Sequence, residues 1–176
     1  YSSDLRQKLI EYHRINGGLS RYVKIRYFYE EILKEVIAEE KVQRLASEFS
    51  VIMKDKLCNK DVLNPDWIAM MDRLSPTVNH HIASGSDQTE LRFLCQELGI
   101  DHRFISIHGS PTPKNQLVSE ILSNYDYDRS KTILIGDAVN DWDAAVTNDI
   151  GFRGYNNTEL AEKGSYIDSF KNYDGK

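Results

Sequence analysis

The sequence predicts an α/β protein in which a parallel sheet flanked by helices follows a smaller all-helical unit. Three observations carry that expectation. From about residue 76 onward, short apolar runs alternate with helical patterns, the rhythm of strand–helix–strand units in a parallel sheet. Thr132 to Ile135 is a nearly unbroken β-branched and aliphatic run, as in a strand covered on both faces. Residues 1–75 show only three- and four-residue apolar spacings, so the helical unit is assigned to 1–75 and the α/β core to 76–176.

Ser2 to Asn16 forms the first predicted helix, with Leu5, Leu9, Ile10 and His13 toward one side, and Gly17-Gly18 stops it. Ser20 caps a second helix, whose apolar positions are Tyr22, Ile25, Phe28, Tyr29, Ile32, Leu33 and Val36. Tyr22, Tyr27, Phe28 and Tyr29 read as the core of the helical unit, because no basic stripe accompanies them as a base-stacking platform requires. Arg21, Lys24 and Arg26 read first as a solvated helix face, and second as cations lining one side of a pocket. A third helix from Glu39 to Cys58 carries Val42, Leu45, Phe49, Ile52 and Met53 as its stripe. Asn64-Pro65 is an N-cap followed by proline at the first helical position, opening a fourth helix to about Leu74.

In the core, Val78 to Ala83 is a predicted strand. Ser84-Gly85-Ser86 follows, then a helix from Asp87 to Leu98 with Asp87 and Glu90 at capping-box spacing. Phe104 to Ile107 is a short strand, and Thr112-Pro113 opens a helix to Asn124. Behind the Thr132–Ile135 strand comes a helix from Asn140 to Asn148, and Phe152 to Tyr155 is the last core strand. Residues 158–163 suggest a short helix before a polar tail.

The formal net charge of −5 disfavours nucleic acid as a partner, which wants a basic face, but leaves room for a locally positive pocket that takes a small anion. No apolar run approaches the roughly 20 residues of a membrane span, and no leader pattern precedes the first helix. A cytoplasmic protein without a membrane partner is expected. Cys58 and Cys95 lie in apolar, helical surroundings outside any Cys-x-x-Cys pair and read as reduced core thiols. The sequon Asn156-Asn157-Thr158 reads as chance. His80 and His81 are adjacent in a strand, point to opposite faces and do not share a metal. Oligomeric state is not written in the sequence.

Ligands of open α/β sheets sit beyond the carboxyl ends of the strands, so the polar residues just past each strand are the site candidates. Three loops supply them. Gly136-Asp137-Ala138-Val139-Asn140-Asp141 puts one carboxylate at a strand end and a second on the first turn of the next helix. Two such oxygen donors, with water and a phosphate oxygen, are a usual way to hold Mg²⁺; the alternative is that both acids merely cap their loop and helix. Ser84, with Gly85 and the backbone N–H groups after it, is placed to hold a phosphate oxygen at a helix amino end, or is an ordinary serine turn. Lys114 falls in the first turn of a helix, where the macrodipole disfavours a cation unless something anionic lies near.

A hydroxyl after one strand, a lysine at a later helix start and Gly136-Asp137-x-x-x-Asp141 followed by Ala144-Ala145, in that order, resemble the haloacid dehalogenase superfamily over residues 78–155. The four preceding helices are similar to that family's helical cap, and Gly17-Gly18-Leu19-Ser20-Arg21 looks like a segment found in some of those caps. The resemblance implies a Rossmann-like parallel core with an all-α, C1-type cap and a phosphatase similar to phosphoglycolate phosphatases. It further implies Mg²⁺ as cofactor and a small phosphorylated substrate. Carried over by position, Ser84 hydrogen-bonds the phosphoryl group, Gly85 lies beside it, Lys114 neutralises its charge, Asp137 binds Mg²⁺ directly, and Asp141 binds it directly or through water.

One family element is missing. The nucleophile and acid–base pair form an Asp-x-Asp motif at the end of a central first strand, between the strands ending here at Ala83 and Ile135. No such motif precedes the cap, and Asp126-Tyr127-Asp128 follows a helix instead of a strand. Because the sequence starts at Tyr1 and lacks that strand, about 30–50 further residues are expected ahead of it, by typical element lengths. The competing expectations are a phosphosugar mutase of the same fold, which shares the site, and a non-catalytic relative that binds a ligand or partner. A dehalogenase fits less well, since it has no use for the metal that the two acids suggest.

Overall fold

The computed structural model describes residues 1–175. Four helices open the chain. The first is α1 (Ser3–Ile15), capped by the Ser2 side chain, which accepts from the N–H of Leu5; the second is α2 (Arg21–Tyr27), capped by Ser20, which accepts from the N–H of Val23. The Ser20 cap stands where the sequence put it, and Ser2, read as the first helical residue, is a cap as well, because a hydroxyl at that position satisfies an N–H with no partner inside the helix. α2 then widens into a π-helical turn, Phe28–Leu33, closed by Lys34 in the left-handed region at φ 58°. The expected stripe therefore ends at Leu33, three residues early. Phe28 and Tyr29 are buried, but Val36 is 99% exposed and Ile37 is buried in its place.

Next come α3 (Glu39–Leu57) and α4 (Pro65–Leu74), the latter capped by Asn64 with proline in its first turn. Val42 is fully buried on α3, whereas Phe49 and Ile52 are largely exposed; the expected α3 stripe is thus buried only in its first half. Phe28, Tyr29, Ile37 and Val42 form the core of the helical unit with Leu5, Leu9 and Leu45 around them. α4 packs elsewhere: Met70 and Met71 join Ile167 and Phe170 near the end of the chain, and the Asn64 amide donates to the Tyr155 hydroxyl at 2.9 Å.

The α/β part runs β1 (His81–Asp87), α5 (Gln88–Glu97), β2 (Ser106–Ser110), α6 (Lys114–Asn124), β3 (Ile133–Gly136), α7 (Val139–Thr147), β4 (Gly151–Tyr155) and β5 (Ser165–Ile167). β1 starts three residues later than expected because the N–H groups of Thr77 and Val78 are spent on the Leu74 carbonyl, extending the end of α4. It also runs on through Ser84-Gly85-Ser86, with a register irregularity between Ala83 and Asp87. β2 is displaced likewise, since Asp101–Arg103 forms a 3-10 turn that uses the Phe104 N–H. β5 was not foreseen: three residues in a polar tail carry little apolar pattern, but Ile167 is buried against α4. Among the cysteines only Cys95 is a core thiol; Cys58 is exposed beyond α3.

All strand pairings are parallel, but the sheet comes in two pieces. β1 pairs with β2, and β3 pairs with β4, which pairs with β5. Among the described residues β1 and β3 each have one ladder neighbour, and residues 81–84 and 133–136 both line a cavity of about 880 Å³. Ile135 is 38% exposed for this reason, although its sequence reads as a strand covered on both faces. No helix among the described residues is long and apolar enough to cross a membrane.

Candidate active site

Two cavities share walls at the carboxyl ends of β1 and β3. The inner one, between the two sheet pieces, has Ser84, Lys114, Gly136, Asp137 and Asp141 in its lining. The outer one, about 1020 Å³, lies between the helical unit and the core. It shares Ser84, Lys114 and Asp137 with the inner cavity and adds Gly85, Ser86, His13, Arg14, Arg21 and Lys24. Of the five site residues named from the sequence, Ser84, Lys114 and Asp137 line both cavities, Asp141 the inner one and Gly85 the outer one, beyond the carboxyl ends of the strands.

Ser84 sits in the irregular stretch of β1, and its Oγ accepts from the N–H of Ser86 at 3.1 Å. That bond is the serine turn considered from the sequence, and it leaves the hydroxyl proton to donate. Lys114 is the first residue of α6, and its ammonium pairs with Asp141 Oδ1, both side chains nearly buried. The anion that a lysine at a helix start demands is therefore a protein carboxylate. Asp141 also caps α7: Oδ2 accepts from the N–H groups of Asp137 at 3.1 Å and Ala138 at 3.0 Å. A Cβ on Gly136 would run into the Asp141 carboxyl group, so glycine there permits this close approach. Asp137 differs. It is exposed, its carbonyl accepts from Asn157 Nδ2 at 2.9 Å, and its carboxylate has no protein partner among the described residues.

No set of three or more His, Cys, Asp or Glu side chains among the described residues is arranged to hold a metal ion. An all-protein cage is therefore not built. One free carboxylate, Asp137, beside a second already engaged fits the sparser mode of Mg²⁺, which keeps several waters and is held by one or two carboxylates together with a phosphate. His80 and His81 play no shared part. The His81 ring is hydrogen-bonded to Ser106 Oγ at 2.7 Å and Tyr127 OH at 2.8 Å, while His80 is half-buried.

The helical unit is fastened to the core beside this site. Arg21 reaches across 69 residues to make two 2.7 Å bonds to the Glu90 carboxylate, and it also donates to Ser50 Oγ at 2.6 Å. The Tyr22 hydroxyl donates to Asp87 Oδ2 at 2.7 Å; burial together with that bond pushes its pKa up to about 12. Burial pushes Asp87 and Glu90 upward, but hydrogen bonds outweigh it. The N–H of Glu90 and the Tyr22 hydroxyl hold Asp87 below its ordinary value, and Arg21 and Ser50 do so for Glu90. Depressed carboxylates stabilise the fold above their ordinary pKa of about 4 and lose that contribution as pH falls through the folded value. Urea midpoints of the parent chain are thus expected to drop between about pH 5 and pH 3, and those of Glu90→Gln to drop less. Superimposable slopes would remove Glu90 from the pH response.

Of these residues, Glu90 and the His13–Arg14 wall were not identified from sequence. Glu90 was read as half of a capping box. Asp87 does cap α5, accepting from Thr89 and Glu90, but the Glu90 side chain leaves for Arg21. Arg21 and Lys24 line the outer cavity, so the solvated-face reading holds only for Arg26, which pairs with Glu39. Gly85 packs on the Gly18 backbone: a Cβ there would collide with the Gly18 carbonyl oxygen and lie 3.0 Å from its carbonyl carbon. Gly85→Ala is expected to cost about 1–3 kcal/mol by overpacking and to shift the Gly17-Gly18 turn. The nearest atoms that a Cβ on Gly18 would meet belong to the Asn140 side chain and not to backbone, so Gly18→Ala should cost less. Thermal unfolding of the two variants checks the order.

Comparison with known proteins places this architecture. The sequence model of a family described as haloacid dehalogenase-like hydrolase matches residues 6–147. No curated protein matches the sequence. Among solved structures, a β-phosphoglucomutase from Clostridium difficile superimposes with TM-score 0.75 at 19% identity, over 94% of this chain and 76% of that one. A predicted phosphoglycolate phosphatase from Haemophilus somnus gives TM-score 0.66 at 16% identity, over 85% and 72%. A superfamily hydrolase from Ehrlichia chaffeensis gives 0.54 at 24% identity, over 62% of this chain, which spans 54% of that protein's length. At these identities the likeness is one of fold.

Proposed function

The chain belongs to the haloacid dehalogenase-like hydrolases, and from that membership we propose a cytoplasmic, Mg²⁺-dependent phosphohydrolase for a small phosphorylated metabolite. The observation that carries this reading is the gathering of Ser84, Lys114, Asp137 and Asp141 around one cavity at the strand ends. Ser84 and the N–H groups after it take phosphoryl oxygens, and Lys114 sets a positive charge against them. Asp141 holds Lys114 in place, is itself fixed by two N–H groups, and would help to hold a metal directly or through water. Asp137, with its free carboxylate, would hold the ion. Bound Mg²⁺ supplies charge stabilisation at the phosphoryl oxygens.

None of the 176 residues is assigned as nucleophile. The proposed route passes through an aspartyl-phosphate on an Asp-x-Asp motif at the end of a strand, and neither Asp126-Tyr127-Asp128 nor Asp141-Trp142-Asp143 has that place in this sequence. The unpaired facing edges of β1 and β3 support a further strand between them as its seat. The 176-residue chain is accordingly expected to bind inorganic phosphate with Mg²⁺ without turnover. Any form that hydrolyses p-nitrophenyl phosphate should require Mg²⁺ and lose at least about a hundredfold in kcat in Asp137→Asn and Lys114→Ala, the scale of one transition-state charge contact. Turnover untouched by both changes would refute the site. The likeness to a β-phosphoglucomutase favours one second reading, a phosphosugar mutase, which product analysis separates: free phosphate for hydrolysis, an isomeric sugar phosphate for transfer.

A further inference from the structure

Four side chains form a hydrogen-bonded chain at the amino end of β1, away from the strand ends. Parallel register sets His81 beside Ser106, and His108, two residues on, shares the face of Ser106. The Ser106 hydroxyl lies 2.7 Å from His81 Nδ1 and 2.8 Å from His108 Nε2, and His81 Nε2 lies 2.8 Å from the Tyr127 hydroxyl. Aromatic rings fix the His81 imidazole: its centroid is 4.7 Å from that of Tyr125 and 5.4 Å from that of Tyr127, and the two tyrosines stack on each other. His81 stands three residues before Ser84, about 10 Å away at the rise of a strand. The Ser106 hydroxyl has one proton to donate, and these two imidazole nitrogens are its acceptors among the described residues. If neutral His81 carries its proton on Nε2, Nδ1 accepts from Ser106 and His108 Nε2–H completes the chain. If the proton is on Nδ1, it goes to Ser106 Oγ, and the hydroxyl turns to His108. Either way the serine proton rests against an imidazole, the starting arrangement of a serine nucleophile and its base. Burial, with His108 and His80 nearby, holds His81 below its ordinary pKa, so its ring is in the neutral, proton-accepting form at neutral pH. All four side chains are half-buried, and β2 has one ladder neighbour among the described residues, so Ser106 stands at a sheet edge that a small reagent reaches.

We propose that Ser106 is a second nucleophile of this chain, acylated by small uncharged activated esters, with the His81 or His108 imidazole that faces its hydroxyl taking the proton. Oγ bonds to the carbonyl carbon, the bond from that carbon to the leaving oxygen breaks, and the imidazole passes its new proton to the leaving oxygen. Water then attacks the acyl-serine carbonyl and gives a proton to the imidazole. The acid departs as that proton returns to Oγ. Among the described residues no ionised side chain is bonded to the Ser106 hydroxyl or to either imidazole, which suits an uncharged acyl group and not the anion taken at Ser84 and Lys114. The assignment uses none of the residues of the phosphohydrolase reading and stands or falls without it.

The test is covalent labelling of the 176-residue chain with diisopropyl fluorophosphate, which loses fluoride to a nucleophilic serine, followed by peptide mass spectrometry. One diisopropylphosphoryl group is expected on Ser106 and none on the other serines. Turnover of p-nitrophenyl acetate should fall at least about tenfold once Ser106 is labelled. At least one of His81→Gln and His108→Gln, in variants whose far-UV circular dichroism matches the parent, should slow labelling about a hundredfold or more, the scale of a general base; the one that does so identifies the base. Ser106→Cys supplies an independent reading within a single chain. Its thiol, beside two imidazoles, should react with iodoacetamide at least about ten times faster than the exposed Cys58. Absence of label on Ser106, an unchanged labelling rate in both histidine variants, ester turnover that survives labelling, or an introduced thiol no faster than Cys58 overturns the proposal.

Discussion

Asp141→Ala should lower the stability of the chain by about 3–5 kcal/mol, the cost of stranding one partner of a buried ion pair. Asp141 is 3% exposed, and each of its oxygens is committed, Oδ1 to the Lys114 ammonium and Oδ2 to the N–H groups of Asp137 and Ala138. Truncation leaves a nearly buried lysine without its counter-charge and removes the acceptor that starts α7. The two losses can be separated. Lys114→Met in the Asp141→Ala background removes the stranded charge and should recover part of the loss, whereas the uncapped N–H groups persist and keep the double variant below the parent. Urea denaturation of the parent, both single variants and the double variant measures the coupling. A double variant no more stable than Asp141→Ala would show that the pair contributes nothing beyond the cap.

A loss of similar size, about 3–5 kcal/mol, is expected for Arg21→Ala, which strands the Glu90 carboxylate. The side chains of Arg21 and Glu90 are 11% and 4% exposed, and their two parallel bonds have the bidentate geometry that makes such pairs strong. Here the consequence is architectural as well. The pair joins α2 of the helical unit to α5 of the core, with Tyr22–Asp87 next to it, so its loss should free the helical unit from the core before the core itself unfolds. Hydrogen exchange read residue by residue is expected to show α1 and α2 losing protection while β3, β4 and α7 keep theirs. Arg21→Met combined with Glu90→Leu, which leaves no buried charge, should regain most of the stability. Uniform loss of protection along the chain would mean that the pair stabilises the molecule as a whole and is no fastening between its parts.

What the sequence made legible were features that depend on neighbours along the chain. The caps Ser20, Asn64 and Asp87 hold, since a short polar side chain before an apolar stripe acts on N–H groups two and three residues ahead. The convergence of Ser84, Lys114, Asp137 and Asp141 was legible because parallel strands carry the residues after them to one rim. Features decided by distant partners were not legible. Glu90 has a cap-like spacing and an ion-pair partner 69 residues away, and nothing local distinguishes the two. Lys114 and Asp141 were both identified, but their direct pairing was not, because spacing does not fix where side chains end. β1 was misplaced by three residues because a continued turn at Leu74 captured N–H groups that an apolar run alone would give to a strand. Val36 fails for a similar reason: the π-helical turn before it moves burial on to Ile37.

The most direct check on the shared pocket is amide NMR of the 176-residue chain titrated with inorganic phosphate in the presence of Mg²⁺. Saturating shifts are expected at Ser84, Gly85, Ser86, Lys114, Asp137 and Ala138, with α3 and β5 unmoved. Phosphate that leaves those six amides still, or that perturbs only residues remote from both cavities, contradicts a common anion site at the ends of β1 and β3.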